Sequence, residues 1–183
     1  MWKIIVFILC TLFLIHISRA SLLKPHSHGF YRFFAWECIL ALFLLNVDFW
    51  FRDPFAWNQI IAWILLFACI VPLIFGIQSL TSHGKPTAKR AGDDSLLAFE
   101  KTTQLVTSGI YQYIRHPLYS SLFLLAWGIF FKSFSVTGIV LALVTTFFLV
   151  FTAKADETEC IEFFGNKYKE YMKTTKRFIP YVF

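Results

Sequence analysis

Long continuous runs of apolar residues, separated by short polar stretches, dominate the pattern of this chain. Helices are the expected structure, because a chain that crosses lipid must satisfy its backbone hydrogen bonds internally and because the runs lack the alternation of barrel strands. Several runs are shorter than the about 20 residues that a perpendicular helix needs to cross a bilayer. The pattern predicts an all-α integral membrane helical bundle with about five transmembrane helices, over residues 4–17, 33–51, 57–77, 118–131 and 134–151.

The composition agrees with a membrane protein. Hydrophobic residues make up 57% of the 183 residues and charged residues 15%, whereas soluble domains are about 45–50% apolar and about 25% charged. At this length we expect a single membrane domain over 1–183, with a linker-like cytoplasmic loop at 81–95. The four cysteines have neither disulfide nor metal-binding spacing, so no metal site is predicted.

The basic residues are divided unevenly between the two ends of the predicted helices. Five crossings place residues 18–32, 78–117 and 152–183 on one face of the membrane, and these segments hold 14 of the 17 Lys and Arg residues. Because basic residues collect on the cytoplasmic side, we expect this face and the C-terminus to be cytoplasmic. The net charge of +6 then reflects contact with anionic membrane lipids, and no nucleic-acid partner is expected.

The first apolar run has a second possible interpretation. Lys3, an apolar core and the sequence Ser18-Arg19-Ala20 have the layout of a secretory signal with its cleavage site. Cleavage there would put the basic segments on the wrong side of the membrane. We therefore expect residues 1–17 to be a real span.

A polar and aromatic stretch, residues 105–119, leads directly into the fourth predicted helix. Pro117 is tolerated in a first helical turn, so Arg115 and His116 are expected at the N-terminal end of that helix. The free N–H groups and the positive dipole end favour an anion at this position. Arg115 adds a fixed planar cation, which makes the helix start a candidate site for a carboxylate or a phosphate.

Aromatic side chains flank these charges. Tyr111 and Tyr119 offer ring faces on which a purine or a sulfonium can lie. The alternative interpretation of the same residues is an ordinary membrane boundary, with tyrosine anchors and a snorkelling arginine.

A second group of charges follows the last predicted span. Asp156 and Glu157 lie where the chain leaves the membrane, and carboxylates there can bind a cationic group such as an amine. Apolar and aromatic residues then recur every three or four positions as far as Tyr171, which predicts a C-terminal amphipathic helix on the surface or folded back over the site. We assign three acidic residues to the solvated face of this helix, namely Glu159, Glu162 and Glu170.

Together these segments resemble the isoprenylcysteine carboxyl methyltransferase family, which is related to the membrane phospholipid methyltransferases. The resemblance covers about residues 100–183, and it divides the domain into N-terminal spans with a cytoplasmic loop (1–99) and a cofactor-binding methyltransferase core (100–183). It rests on the order and spacing of Leu105-Val106-Thr107-Ser108-Gly109-Ile110-Tyr111, Arg115-His116-Pro117-Leu118-Tyr119, the acidic pair at 156–157, Phe164-Gly165-Asn166-Lys167-Tyr168-Lys169-Glu170-Tyr171 and Arg177-Phe178-Ile179-Pro180.

The resemblance implies that S-adenosylmethionine binds at the cytoplasmic edge and that a lipophilic methyl acceptor arrives through the membrane. The residues it implies for the cofactor are Thr103, Gln104, Leu105, Val106, Tyr111, His116, Pro117, Leu118, Tyr119 and Asp156, the first four mainly through backbone atoms. A prenylcysteine-like carboxylate is the favoured acceptor, and it needs a cation to hold it, for which Arg115 is the catalytic candidate. An amine acceptor would instead lose a proton, for which Glu157 or His116 is the candidate base.

Two positions depart from the family pattern. Asp156 replaces a glutamate, and Thr152 stands where the family has an arginine thought to serve the acceptor. Three alternatives therefore stay open beside the favoured function: a phospholipid amine methyltransferase, an NADPH-dependent membrane reductase, and a non-catalytic relative that keeps the scaffold.

Overall fold

The computed structural model describes residues 1–87 and 96–180. The predicted all-α bundle is confirmed. Its helices are α1 (Trp2–Leu22), α2 (His28–Asn46), α3 (Trp57–Ala68), α4 (Ile70–His83), α5 (Pro117–Phe130), α6 (Val136–Phe164) and α7 (Asn166–Thr174), with 3₁₀ turns at Val47–Phe49, Ala98–Glu100 and Gly109–Gln112. Residues 88–95 of the predicted loop 81–95 lie outside the described residues.

Four helical stretches in the described part of the chain are long and apolar enough to cross a membrane, namely Trp2–Leu22, His28–Phe49, Trp57–His83 and Val136–Phe164. Helix α5, the fourth predicted crossing, has 14 residues and a length of about 21 Å, below the about 30 Å of a hydrocarbon core. Large apolar side chains on the outer faces of the bundle are exposed, as lipid contact requires.

The candidate cleavage site lies inside a continuous helix. Helix α1 runs through Ser18 to Leu22, and both Ser18 and Ser21 are buried against the rest of the bundle. Lys3 at the other end of α1 binds the Asp48 carboxylate at 2.5 Å, which ties α1 to the end of α2.

The helices differ from the predicted segments at three places, in the third run, in the fifth run and in the amphipathic segment. The third run is two helices, because Pro72 has no N–H to donate to the carbonyl of Ala68 and the helix breaks at Cys69. The fifth run continues as helix far past residue 151, so the acidic pair belongs to α6. The predicted amphipathic helix is divided at Gly165, whose φ of +62° and ψ of −137° turn the chain back into α7.

The core lies where α2, α5 and α6 meet, and α2 packs directly against α6. Ile39 and Leu42 of α2 contact Ala126 and Ile129 of α5 and Ala142 of α6 in one buried cluster. Small residues on two of the three helices allow this close approach. The packing fixes the N-terminal end of α5 beside α2, α4 and α6, where the polar segment enters.

Polar side chains bind the backbone carbonyl groups at the C-terminal end of α5, inside the bundle. The amides of Asn46, Asn58 and Gln59 donate to the last carbonyl groups of α5 and of the loop after it, at 2.9–3.1 Å. Lys132 in this loop is 2% exposed, and its Nζ donates to Gln59 at 3.0 Å and to the carbonyl of Trp50 at 3.2 Å. These bonds satisfy helix-end carbonyls that lipid could not satisfy, so a short helix is stable here.

Candidate active site

A glycine bends the polar segment before α5. Gly109 has a φ of +65°, and a Cβ atom there would lie 2.6 Å from Oγ of Ser79 on α4, so a larger residue does not fit without movement. The 3₁₀ turn that follows buries Tyr111, whose carbonyl accepts a hydrogen bond from the Tyr171 hydroxyl at 2.6 Å. Burial raises the pKa of the Tyr171 phenol, so it remains a neutral donor. Pro117 then begins α5 as its first residue.

Residues 175–178, which we name the C-terminal strap, lie parallel to residues 113–116. The N–H groups of Arg115 and His116 donate to two strap carbonyl groups at 2.7 and 3.1 Å. Oγ of Ser120 donates to a third strap carbonyl at 3.1 Å. The strap therefore closes the site along the start of α5.

Glu157 joins α6 to both of these segments. Its carboxylate, 4% exposed, accepts from Nε of Arg115 at 2.9 Å and from Nη2 of Arg177 at 2.7 Å, and Nε2 of His116 lies 3.4 Å away. Arg115 also donates to the carbonyl of Thr175. Both oxygens of Glu157 are therefore occupied by guanidinium groups, which gives Glu157 and Arg115 a structural role beside their predicted catalytic roles.

Asp156 faces the N-terminal end of α5. Its Oδ2 lies 3.3 Å from Nδ1 of His116 and accepts from the Tyr119 hydroxyl at 3.3 Å. The rings of His116 and Tyr119 are stacked, with their centroids 5.3 Å apart. Burial lowers the pKa of His116, but hydrogen bonds to Asp156 and Glu157 outweigh this effect and hold the pKa above its usual value.

These groups surround one cavity beside the start of α5, with about 770 Å³ of free space including its mouth. One face of α6 and α7 packs against Val106 and closes one side of the cavity, in the folded-back arrangement that the sequence analysis allowed. This face carries Ile161, Phe164, Tyr168 and Tyr171. The predicted residues on the cavity wall are Leu105, Val106, Tyr111, Arg115, His116, Pro117, Leu118, Tyr119 and Asp156.

Three predicted residues lie off this wall. Glu157 is behind it, in the ion cluster described above. Thr103 and Gln104 are exposed, and their backbone N–H groups donate to the carbonyl of Gly84 at 2.9 and 3.2 Å. The N–H groups of these two residues are thus used within the protein, although the resemblance implies that their backbone binds the cofactor.

Sequence reasoning missed three charged residues on the wall: His28, Glu100 and Glu159. The assignment of Glu159 to a solvated face is wrong, since its carboxylate binds the buried His28 at 2.5 Å. Glu162 and Glu170 are exposed as predicted. The signal for Glu159 was its spacing, because a residue three positions after Asp156 lies on the same face of a helix.

The position of the missing family arginine does not face the cavity. Thr152 is fully buried inside the bundle, and its Oγ1 donates to the carbonyl of Phe148 in the preceding turn of α6 at 2.8 Å. Arg177 of the strap binds Glu157 behind the cavity wall.

Comparison with known proteins agrees with this geometry. The family model described as Phospholipid methyltransferase matches residues 87–169. A protein-S-isoprenylcysteine O-methyltransferase from Dictyostelium discoideum is 30% identical over 171 residues, which cover 90% of this chain and 66% of the relative. The chain is thus similar to the isoprenylcysteine methyltransferases.

Other relatives of this protein carry a different acceptor in their names. A methanethiol S-methyltransferase from Bradyrhizobium diazoefficiens is 24% identical over 173 residues, 86% of this chain and 56% of the relative. One from Crocosphaera subtropica is 33% identical over 76 residues, 42% of this chain and 29% of the relative. The chain thus spans only part of each relative, and all the names denote methyl transfer.

Proposed function

We propose that this protein transfers a methyl group from S-adenosylmethionine to a lipophilic acceptor at the cytoplasmic face of the membrane. The acceptor group is the carboxylate of a prenylcysteine-like molecule. One observation carries this proposal: a single cavity brings together the N-terminal end of α5, the Asp156 carboxylate and a wall of tyrosines. The 14 basic residues on the same predicted face support a cytoplasmic site.

The residues on the cavity wall fit the chemical groups of this cofactor. The N–H groups of Leu118 and Tyr119, in the first turn of α5, have no intrahelical partners by helix geometry and suit a carboxylate. Asp156 suits an ammonium group, because its described bonds are 3.3 Å or longer and leave acceptor capacity. Tyr119 and Tyr168 provide aromatic surface for the purine and the sulfonium. When bound, the cofactor supplies an electrophilic methyl group.

An apolar cavity beside the strap suits the lipophilic part of the acceptor. It lies between α5 and α6, has about 760 Å³ of free space including its opening, and includes Phe123, Leu149 and Phe178 in its wall. Phe178 also contacts the ring of His116, with centroids 6.1 Å apart, so this cavity adjoins the polar one. A carboxylate is already a nucleophile at neutral pH, so the task left to the protein is to hold both reactants in line.

The test uses the full chain purified in detergent. Calorimetry with S-adenosylhomocysteine should show binding by the wild type and by Glu162→Gln, an exposed control on the same helix, and weaker binding by Asp156→Asn. Transfer of labelled methyl groups is then measured for a prenylated cysteine, a small thiol and phosphatidylethanolamine. Labelling of the prenylated cysteine alone is the expected result.

Labelling of a different compound would replace the prenylated cysteine as the proposed acceptor. Labelling of the small thiol would support the second candidate, which the names of the methanethiol S-methyltransferase relatives favour. A wild-type protein that binds no S-adenosylhomocysteine would refute the proposed function altogether.

A further inference from the structure

His28 is a buried histidine that has no role in the chemistry proposed above. It is the first residue of α2, its side chain is fully buried, and it borders the polar cavity. Its Nε2 atom has no hydrogen-bond partner among the described residues. A buried polar atom without a partner is costly, and such an atom at a cavity indicates a missing ligand group.

Glu159 determines which ring nitrogen of His28 carries a proton. The carboxylate of Glu159 accepts the backbone N–H of His28 at 2.8 Å on Oε1, and its Oε2 lies 2.5 Å from Nδ1. An ionised carboxylate can only accept hydrogen bonds, so Nδ1 must be the donor. The pair of bonds fixes the ring, in the way that a carboxylate orients a histidine in many sites. Nε2 is then either a lone-pair acceptor or, in the imidazolium, a second donor.

Burial disfavours a positive charge on His28, and two nearby carboxylates favour it. Asp156 and Glu159 approach His28 from α6, whereas Arg32 approaches from α2. Arg32 is itself bound by both oxygens of Glu100 at 2.8 Å, which reduces its effect on the ring. His116 also borders the cavity, where it is held by Asp156. A donor at Nε2 therefore has no acceptor among the described residues, although the ring borders the cavity.

We propose that His28, held by Glu159, binds a ligand carboxylate in the polar cavity through its Nε2–H group. This inference rests on the proposed function and deepens it, because it assigns a residue to the carboxylate. Two carboxylates could enter the site, that of the methyl acceptor and that of the methyl donor. The acceptor carboxylate is the one we expect, because the start of α5 already offers N–H groups to the donor. His28 is a binding residue in this account, and Glu159 is a positioning residue.

The experiment compares His28→Gln and Glu159→Gln with the control Glu162→Gln. The probes are an S-prenylated N-acetylcysteine and its carboxamide, which differ only in the group that His28 would bind. The wild type and the control should prefer the carboxylate probe, and both site variants should lose this preference by about tenfold to a hundredfold. Their affinity for S-adenosylhomocysteine, measured by calorimetry, should stay within about twofold of the wild type, because fold and donor site are intact.

The outcomes separate the two sources of carboxylate and the two proposals. Weaker binding of S-adenosylhomocysteine with an unchanged probe preference would support a His28 site for the donor carboxylate. Unchanged affinity for both ligands in both variants would overturn the inference, while methyl transfer by the wild type would leave the proposed function standing. If His28→Gln does not fold, Glu159→Gln carries the test, since it preserves the imidazole and the shape of its partner.

The pH dependence of binding and turnover distinguishes a carboxylate-binding role of His28 from that of a general base. A carboxylate-binding imidazolium predicts that the probe preference of the wild type falls as pH rises. A loss of turnover on the acidic side that His28→Gln removes would mean that Nε2 accepts a proton, and the inference would be wrong.

Discussion

Replacing Glu157 with glutamine separates an anchoring role from a catalytic one. The carboxylate binds Arg115 and Arg177 through hydrogen bonds of 2.7–3.0 Å, and glutamine keeps its shape but removes its charge. Two guanidinium groups would then face each other, and breaking a buried ion pair in this way costs about 3–5 kcal/mol. Arg177 is 25% exposed, so water screens part of the repulsion and we expect the lower end, about 3 kcal/mol.

Thermal unfolding in detergent measures this cost. A chain of this size loses about 2–4 °C in Tm for each kcal/mol, so Glu157→Gln should melt about 6–12 °C below the wild type. The control Glu162→Gln makes the same chemical change on an exposed part of α6 and should melt with the wild type. A Glu157→Gln protein that keeps its Tm but loses methyl transfer would refute the anchoring argument and support a catalytic role.

Three further changes test other contacts. Asp156→Asn should weaken S-adenosylhomocysteine binding by about 1.5–3 kcal/mol through loss of a charge-assisted bond, and wild-type affinity by calorimetry would exclude that role. Gly165→Ala should lower stability by about 1–3 kcal/mol in thermal unfolding, because its φ of +62° is strained for other residues. The raised pKa of His116 should stabilise the fold fully below its unfolded value of about 6.5 and lose this effect as pH rises through the folded value. The Tm of the wild type should therefore fall more over that window than the Tm of His116→Gln.

The membrane class and most of the cavity wall could be predicted from the sequence, because both depend on local patterns. Continuous apolar runs require helices in lipid, and Pro117 places the start of α5 to the residue. The folded-back face that ends at Tyr171 followed from a period of three to four residues. The comparisons are consistent with the family that these motifs indicated.

The remainder depends on contacts between residues far apart in the chain. Nothing near His28 in the sequence indicates a carboxylate partner, because Glu159 lies 131 residues away. The length of α5 matched its own apolar run, but the bonds that end it were not visible there, since the amides that form them come from α2 and α3. Glu157 looked like a free acid for the same reason: Arg177, which occupies it, arrives from the strap.

The strap also has a consequence for biosynthesis. Residues 175–178 are synthesised after every helix that the structure describes, yet they supply backbone partners to Arg115 and His116. During translation the Glu157 carboxylate therefore has no strap arginine until Arg177, 20 residues later in the chain, has been added. A chain that stops just before the strap should consequently be less stable, since the N–H groups of Arg115 and His116 would lose their strap carbonyl groups and Glu157 would lose Arg177.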